Sequence, residues 1–400
     1  MFLNTSYSVG GLTIPNRVVF QPMEGCDCEE NGAPSQLTIQ KYHAEAVSGA
    51  GLIWFEACAV CPEGRTNPRQ MMLTAENLED FKLLIAQIRE IAQAECGINP
   101  VLILQLTHSG RQSIVPMIGY RNSVYEETRP LTDENIVSDE YLDTLPRKYL
   151  TSARLAKEAG FDGVDIKSCH GYLFQEMLSA FSRPGKYGGS FENRAKLYLD
   201  TLALVNREMG NQLLIGSRLS VVDMVPKPWG FGTDEQNQID MTEPLKLISL
   251  AQKNGVKILN VTLGNPYYNP HVNRPFRRGG YTPPEAAQVG LDRFALVQKE
   301  IKDHFPELCV IGSGMSYYRE DLIEKSEELL AGGTCDLVGY GRVSLAYPGF
   351  YRDFLNGKFD SKKCCVACSK CTELMRNKCV SGCAVFNPYY RELYKEKVQK

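Results

Sequence analysis

Eight short apolar runs alternate with longer amphipathic segments along this chain, and this alternation limits the fold more than any other feature. Most of the runs are rich in Val, Ile and Leu, as expected for parallel strands that are buried on both faces. They lie at residues 17–21, 52–56, 101–105, 163–167, 213–218, 257–261, 309–312 and 336–340. Helical periodicity lies between them at 81–94, 143–159, 193–208, 243–253 and 319–331. Eight strands that alternate with helices predict an α/β fold of the (β/α)8 TIM barrel type.

Segments outside the repeating units complete the predicted architecture. Residues 2–14, with Gly10-Gly11 at a turn, predict an N-terminal hairpin that closes the bottom of the barrel. Residues 109–140 and 223–241 follow the third and fifth strands and are long enough to act as lids over the mouth. We therefore expect a barrel domain over 1–360 and a basic, cysteine-bearing extension over 361–400.

Polar side chains occur where the predicted strands end. Chemistry in this fold takes place at the carboxyl ends of the strands, so side chains that are distant in sequence would meet around one mouth. Polar residues also mark the ends of ordinary strands, but that explains one or two positions and not the whole set. The set comprises Gln21, Glu56, Gln105, His108, Lys167, His170, Arg218 and Arg342.

Glycines follow the last two strands, at Gly312, Gly314 and Gly341. Barrels often bind phosphate at this position, because glycine lets the backbone N–H groups approach the phosphate oxygens. Arg342 would add positive charge. The pattern predicts a phosphate site, although glycine also serves ordinary turns.

Four cysteines near the C-terminus indicate an iron–sulfur cluster. Cys365, Cys368 and Cys371 are each separated by two residues, and Cys383 follows after eleven more. Three thiolates on one short loop can hold three corners of a [4Fe–4S] cluster, and the distant cysteine can hold the fourth. Zinc is the alternative, although structural zinc sites usually draw on two separated Cys-x2-Cys pairs. Two neighbours compete as ligands, since Cys364 could replace Cys365 and Cys379 could replace Cys383.

Composition excludes several other classes of protein. The chain of 400 residues is 43% hydrophobic, and its formal net charge is −3, so no basic field indicates nucleic acid. No apolar run is long enough to span a bilayer, and the N-terminus lacks the pattern of a signal peptide. Fourteen cysteines in a chain without an export signal favour free thiols and thiolate ligands in a reducing, cytoplasmic setting.

Several motifs resemble those of the old yellow enzyme family of FMN oxidoreductases, and the resemblance extends over almost the whole chain. The motifs are Asn16-Arg17, Pro22-Met23, Gln105-Leu106-Thr107-His108-Ser109-Gly110-Arg111, Gly163-Val164-Asp165-Ile166-Lys167, His170-Gly171-Tyr172-Leu173, Tyr187-Gly188-Gly189-Ser190-Phe191-Glu192-Asn193-Arg194 and Ser217-Arg218. The cysteine spacing followed by Asn387-Pro388 resembles the iron–sulfur branch, which includes 2,4-dienoyl-CoA reductase and trimethylamine dehydrogenase.

The resemblance implies roles for individual residues. Tyr172 would be the proton donor above the flavin, and Lys167 and His170 would anchor the substrate. Arg218 would stabilise the negative charge that develops on the reduced flavin, and Gln105 would hydrogen-bond its pyrimidine edge. The other predicted FMN contacts are Pro22, Met23 and Ala57 along the ring, and Gly314, Met315, Gly341 and Arg342 around the phosphate.

The substrate-anchoring pair departs from the family pattern, in which His or Asn occupies both positions. Here the pair is Lys167 and His170. Lys167 either carries its charge to the substrate or pairs with a nearby acid such as Glu176, and the sequence leaves both open. His170 is expected at the site, with a purely structural role as the alternative. For His108 a structural role and a substrate contact are equally open.

No Gly-x-Gly-x-x-Gly fingerprint follows a strand in this sequence. We therefore expect the FAD- and NAD(P)H-binding domains of larger family members to be absent. Electrons would come from a ferredoxin-like or flavoprotein partner, or directly from NAD(P)H. A homo-oligomer is possible.

Three functions suit this sequence. The first is an ene-reductase that passes hydride from reduced FMN to a C=C bond in an enone, enoate or enoyl thioester, with Tyr172 as the acid. The second is an amine dehydrogenase or demethylase that sends electrons out through the cluster, which the charge of Lys167 disfavours. The third is an electron-transfer subunit without a substrate. Reduction of a base in tRNA is disfavoured by the net charge.

Overall fold

The computed structural model describes residues 1–399, and their fold is a closed barrel of eight parallel strands. This confirms the predicted fold class. The barrel strands are β3 (Val18–Phe20), β4 (Leu52–Ala59), β5 (Val101–Thr107), β6 (Gly163–Ile166), β7 (Leu214–Val222), β8 (Ile258–Leu263), β9 (Cys309–Gly312) and β10 (Leu337–Tyr340). Each strand pairs with its neighbours in sequence, and β10 closes the barrel against β3.

Every residue of the eight barrel strands is buried. Helices cover the outer face of the barrel and side chains fill its interior, so the strand sequences are mostly apolar on both faces and do not alternate with exposed polar residues. This burial explains why the eight apolar runs located the strands. The longest strands, β4 and β7, extend three and four residues beyond their predicted ends.

The predicted helices are present, although their ends differ by a few residues. The helices are α1 (Gln36–Ala46), α2 (Leu78–Cys96), α3 (Ser123–Glu126), α4 (Asp139–Ala159), α5 (Leu173–Leu178), α6 (Phe191–Met209), α7 (Thr242–Lys253), α8 (Pro270–Asn273), α9 (Ala287–His304), α10 (Leu322–Ala331), α11 (Arg342–Ala346), α12 (Phe350–Leu355), α13 (Lys370–Arg376) and α14 (Pro388–Lys397). The predicted segments correspond to α2, α4, α6, α7 and α10, and the other helices, including the long α1 and α9, lie outside them.

An N-terminal hairpin closes the bottom of the barrel, as predicted. Its strands β1 (Tyr7–Val9) and β2 (Leu12–Ile14) pair in antiparallel register. Ile14 joins an apolar cluster inside the lower barrel that contains Trp54 and residues of most barrel strands. Gly10 has a φ of 57°, and a Cβ there would lie 2.6 Å from Cδ1 of Leu214, so glycine is favoured at this turn against the barrel.

The C-terminal extension folds back over the opposite end of the barrel. Leu374, Val380 and Tyr390 form a small apolar cluster that also contacts α1 through Leu37. The backbone N–H of Ser381 donates to the carbonyl of Gly25, at 2.6 Å, directly after β3. These contacts place the cysteine-bearing loop beside the mouth of the barrel.

No helix within residues 1–399 combines the length and the apolarity that crossing a membrane would need.

Candidate active site at the barrel mouth

A cavity opens at the carboxyl ends of the barrel strands, where the sequence analysis placed the site. Its empty volume is about 1250 Å³, part of which is open to solvent. All the predicted catalytic and FMN-contacting residues line it: Pro22, Met23, Ala57, Gln105, Lys167, His170, Tyr172, Arg218, Gly314, Met315, Gly341 and Arg342. Residues scattered over more than three hundred positions of sequence therefore form one wall.

A buried carboxylate organises the floor of the cavity. Asp165, in β6, accepts hydrogen bonds from Nε1 of Trp54 (2.9 Å), from Nε2 of Gln105 (2.6 Å) and from the backbone N–H of Arg218 (2.7 Å). Burial raises the pKa of Asp165, and the three donors oppose that effect. The network fixes the amide of Gln105 and the backbone of Arg218 against the barrel interior.

Two buried guanidinium groups on the cavity wall lack acidic partners. Nε of Arg218 and Nη1 of Arg342 are buried without hydrogen-bond partners, and Nη2 of Arg342 donates to the carbonyl of Pro275 (2.8 Å). Among residues 1–399, neither guanidinium forms an ion pair within 4.0 Å. Arg274 lies close to Arg342, and burial lowers its pKa to about 10. An uncompensated buried cation is unfavourable, so this arrangement suits an anionic ligand.

The charge of the cavity wall is strongly one-sided. Glu24 is the one carboxylate on the described wall. The wall also carries five cationic side chains: Lys167, Arg218, Arg274, Arg342 and Arg376. A cavity of this composition favours ligands with phosphate or carboxylate groups.

Tyr172 lies between a cation and an acid. Nζ of Lys167 lies 3.9 Å from the centroid of the Tyr172 ring, and the Tyr172 hydroxyl donates to Oε2 of Glu24 at 3.3 Å. The Tyr172 hydroxyl also lies 3.3 Å from that of Tyr267. Burial lowers the pKa of Lys167, whereas burial and the nearby Glu24 raise the pKa of Tyr172 well above its usual value. Tyr172 therefore keeps its proton at neutral pH.

His170 is held neutral at the same wall. Burial, together with the charges of Arg218 and Lys167, lowers its pKa well below the usual value. Its backbone has a φ of 66°, a strained conformation for a residue other than glycine, and its N–H donates to Oγ of Ser220 at 3.1 Å. Nε2 of His170 is buried and has no partner. It is thus available to a ligand in the cavity.

One role considered for Lys167 was an ion pair with a nearby acid such as Glu176, and Glu176 is the wrong partner. Glu176 accepts from Nε of Arg111 and from the backbone N–H of Gly119, each at 2.8 Å. The carboxylate whose charge most raises the pKa of Lys167 is that of Glu24. Glu24 directly follows the Pro22-Met23 motif, so an acid at the end of a strand was visible in the sequence and was overlooked.

His108 has a structural role. Its Nε2 lies 2.8 Å from the Tyr141 hydroxyl, and its Nδ1 accepts from the backbone N–H of Gly110 at 3.1 Å. Burial lowers its pKa to about 4. Both ring nitrogens are engaged and His108 does not line the cavity, which decides between the two roles that the sequence left open.

The predicted lids do not cover the cavity. Neither 109–140 nor 223–241 contributes a residue to its wall. The cover comes instead from the loop after β8 and from the C-terminal extension. These supply Pro266, Tyr267, Asn273, Arg274, Cys371, Thr372, Met375, Arg376 and Ser381, which the sequence analysis had not assigned to the site apart from Cys371.

The cysteine loop lies against this cavity. Burial raises the pKa of Cys365 to about 11, and the charges of Cys371 and Cys383 add to the increase. Burial also raises the pKa of Cys383, with further contributions from Cys371 and Cys368. These four predicted ligands are therefore close enough to interact. Within residues 1–399 no group of three or more His, Cys, Asp or Glu side chains is arranged to hold a metal ion.

The two competing cysteines have other surroundings. Cys364 is buried, and besides its sequence neighbour Cys365 the charges that act on it come from Arg319, Asp360 and Glu320. The Cys379 thiol donates to the carbonyl of Asn377 at 3.4 Å. The described contacts thus group Cys365 and Cys383 with Cys368 and Cys371.

Comparison with known proteins identifies relatives along most of the chain. The model of the NADH:flavin oxidoreductase / NADH oxidase family matches residues 5–358. An NADH oxidase of Thermoanaerobacter brockii is 27% identical over 369 residues, which are 90% of this chain and 52% of that protein. A cinnamate reductase of Clostridium sporogenes is 26% identical over 406 residues, covering 95% of this chain and 56% of that protein. The chain thus spans only slightly more than half the length of these two relatives.

A solved structure shares the fold. The structure of 2-naphthoyl-CoA reductase in complex with 2-naphthoyl-CoA aligns with a TM-score of 0.78 at 19% identity. The alignment covers 98% of this chain and 58% of that one. At this level of identity the likeness concerns the fold alone.

Proposed function

The chain belongs to the NADH:flavin oxidoreductase / NADH oxidase family, the old yellow enzyme family, and from this premise we propose that it is an FMN-dependent reductase of activated C=C bonds. The observation that carries the proposal is the position of Lys167, His170 and Tyr172 on one wall of a cavity whose other groups suit a flavin. The similarity to a cinnamate reductase supports an unsaturated acid or its thioester as the substrate class.

The residues around the cavity fit FMN. Arg218 and Arg342 have buried N–H groups without partners, which a flavin oxygen and a phosphate would satisfy. Gln105 is held by Asp165 and faces the same space. Pro22, Met23 and Ala57 would line the ring, while Gly314, Met315 and Gly341 would surround the phosphate with Arg342. When bound, FMN supplies the hydride that the reaction needs.

Lys167 and His170 would bind the oxygen of the substrate. The ammonium group of Lys167 and Nε2 of His170, in the tautomer that carries a proton there, would both donate hydrogen bonds to a carbonyl or carboxylate oxygen. Withdrawing electron density from the conjugated C=C bond makes its β-carbon electrophilic. Because Nε2 of His170 has no partner within the described residues, this donation breaks no existing hydrogen bond.

Tyr172 would protonate the α-carbon. Its raised pKa keeps the hydroxyl protonated until the negative charge develops on the substrate. Lys167 over the face of its ring would then stabilise the phenolate that proton transfer leaves.

An assay without oxygen tests this function. We expect reduction of cinnamate-type enoates or enones with a chemical or nicotinamide donor, and Tyr172→Phe should slow alkene reduction by about 10²- to 10⁴-fold while flavin reduction continues. Monitoring flavin absorbance separates the two half-reactions. Unchanged alkene reduction in Tyr172→Phe would remove Tyr172 from the mechanism.

Amine oxidation is the second candidate. Tyr172 and Tyr267 are stacked with ring centroids 6.3 Å apart next to Glu24, and aromatic faces with an acid can hold an amine cation. Lys167 occupies the face of Tyr172, however, and the wall has five cationic side chains against one acid. Methylamines included in the same assay, with a dye acceptor, decide between the two.

We also propose a [4Fe–4S] cluster on Cys365, Cys368, Cys371 and Cys383. Support comes from their spacing, their mutual electrostatic interaction and a tightly turned backbone, in which Ala367 and Ser369 have φ values of 52° and 61°. The N–H of Ala367 also donates to Sγ of Cys365 at 3.4 Å, a contact type that tunes iron–sulfur clusters. When bound, the cluster would supply electrons singly from NAD(P)H or a separate carrier protein. A cytoplasmic location and a homo-oligomer stay predictions.

A further inference from the structure

A carboxyl group behind the proposed proton donor has no role in the mechanism so far. Glu24 lies in the loop after β3 and is half-buried, with Oε2 bound to the Tyr172 hydroxyl and Oε1 buried without a partner. An acid with a buried, free oxygen at a reacting centre costs stability unless it is protonated or used.

Resting on the proposed function, we propose that Glu24 supplies the proton that Tyr172 gives to the substrate and that Tyr267 links this pair to solvent. This step transfers protons only and changes no oxidation state. Tyr172 gives its O–H proton to the α-carbon, and the Glu24 carboxyl gives its proton to the phenolate. Glu24 regains a proton along the same hydrogen bonds, from Tyr172, which takes one from Tyr267, which in turn takes one from water. Glu24 is hydrogen-bonded to Tyr172 and acts through it, as a positioning and proton-supplying residue.

Contacts around Glu24 support this role. Burial raises the pKa of Glu24, and Lys167, the Tyr172 hydroxyl and Lys41 oppose the increase. The remaining titratable neighbours are Tyr267 and Cys26. Burial raises the pKa of both, so the Cys26 thiol and the Tyr267 hydroxyl stay neutral. After proton transfer the new carboxylate would lie next to the two lysines, whose charges stabilise it. The surroundings therefore suit both protonation states.

The direction of the hydrogen bond between Glu24 and Tyr172 should make alkene reduction depend on pH. A protonated carboxyl can donate to the Tyr172 oxygen, which frees the phenol hydrogen to point at the substrate. An ionised Glu24 can only accept, so it holds the phenol hydrogen away from the substrate. Alkene reduction should therefore be fast while Glu24 is protonated and should fall as the pH rises through its raised pKa.

The path to solvent runs through Tyr267. Its hydroxyl lies 3.3 Å from that of Tyr172, and its side chain is 40% exposed. Among the described residues, Glu24 and Tyr267 are the two that are hydrogen-bonded to the Tyr172 hydroxyl. In the proposal, the contact between Tyr172 and Tyr267 is the route by which protons lost at Tyr172 and Glu24 are replaced.

Glu24→Gln in the holoenzyme tests the proposal, because glutamine keeps the size of the side chain and its acceptor but cannot supply this proton. We expect alkene reduction at neutral pH to slow about tenfold or more, the fall at high pH to disappear, and the solvent isotope effect to increase. Glu24→Asp should restore part of the rate. In the Tyr172→Phe background Glu24→Gln should cause no further loss, since the two act in one step.

Two results would overturn the proposal. One is an unchanged rate and pH profile in Glu24→Gln. The other is an equal loss in the wild-type and Tyr172→Phe backgrounds, which would mean that Glu24 acts through the cofactor or the fold.

An infrared spectrum gives a readout that needs no substrate. Subtracting the spectrum of Glu24→Gln from that of the wild type at neutral pH should reveal the band of one protonated carboxyl, because the bands of other buried acids such as Glu45 and Asp223 cancel. Tyr172→Phe should shift this band. Absence of that band would refute the proton store. If wild type reduces no alkene at all, the proposed function fails, and this band still decides whether Glu24 holds a proton for Tyr172.

Discussion

The two ends of the barrel treat buried polar groups in opposite ways. At the bottom, Nδ2 of Asn16 donates to the carbonyl of Gly49 at 2.7 Å, and its Oδ1 accepts from the N–H groups of Val18 (3.1 Å) and Gly51 (2.9 Å). At the mouth, Glu24, His170, Arg218 and Arg342 each bury a polar atom without a partner.

The contrast shows what the unpaired groups are for. A buried polar atom without a hydrogen bond costs about 1–3 kcal/mol, and more if it is charged. The same strands form both ends, so poor packing of the barrel does not explain the difference. Unpaired atoms also occur away from the cavity, as in Gln298, so the lack of a partner alone does not identify a ligand contact. His170, Arg218 and Arg342 differ in that they also line the cavity, and we therefore interpret them as partners of ligands and Asn16 as structural.

The cysteine loop should give the largest effect, because a protein that loses one cluster ligand should lose most of its iron. Cys368→Ala should remove nearly all iron and acid-labile sulfide from protein purified without oxygen, while FMN stays bound. Cys364→Ala and Cys379→Ala are matched controls and should keep the iron, since their surroundings differ from those of the other four thiols.

Iron lost in a control variant but kept in Cys368→Ala would mean that the ligand set is wrong. Iron absent from the wild type after reconstitution would remove the cluster from the proposal altogether.

Arg218 gives the next largest effect. Arg218→Met removes a buried cation whose Nε has no partner, so FMN affinity should fall by 1.5–3 kcal/mol, or about 10- to 150-fold. The free energy of unfolding of the FMN-free protein should change little, because the desolvation cost of the guanidinium is lost together with its attraction to Asp165. Titration of FMN by fluorescence and urea denaturation measure the two quantities. A variant that loses stability without losing FMN affinity would place Arg218 among the structural residues.

The barrel could be predicted from the sequence because its strands are buried on both faces and thus mostly apolar. Helix α1 was missed for a related reason: the buried face of that helix includes Thr38 and Glu45, and its start depends on the Ser35 cap, so the usual apolar periodicity is weak. Strand ends located most of the site, since the barrel brings them together whatever the loops do.

The cover of the site could not be predicted in this way. The length of residues 109–140 indicates a long loop but not its direction. Tyr172 meets Glu24, in the loop after β3, across 148 residues, and it meets Tyr267 across 95. The second contact depends on how the loop after β8 folds inward. No local pattern in the sequence encodes such contacts, although an acid immediately after Pro22-Met23 was a usable signal for Glu24.

Asn16 should give the smallest effect on the site and a clear effect on the fold. Asn16→Ala leaves two backbone N–H groups and one carbonyl without their side-chain partner at the bottom of the barrel, so the free energy of unfolding should fall by about 1–3 kcal/mol. FMN affinity and alkene reduction per folded molecule should not change, because the effect is confined to the end opposite the mouth. Asn16→Asp, which keeps the acceptor and loses the donor, should fall between wild type and alanine in urea denaturation. If Asn16→Ala instead weakened FMN binding as much as Arg218→Met does, the two ends would be coupled, and unpaired polar atoms would no longer distinguish ligand-binding residues from structural ones in this barrel.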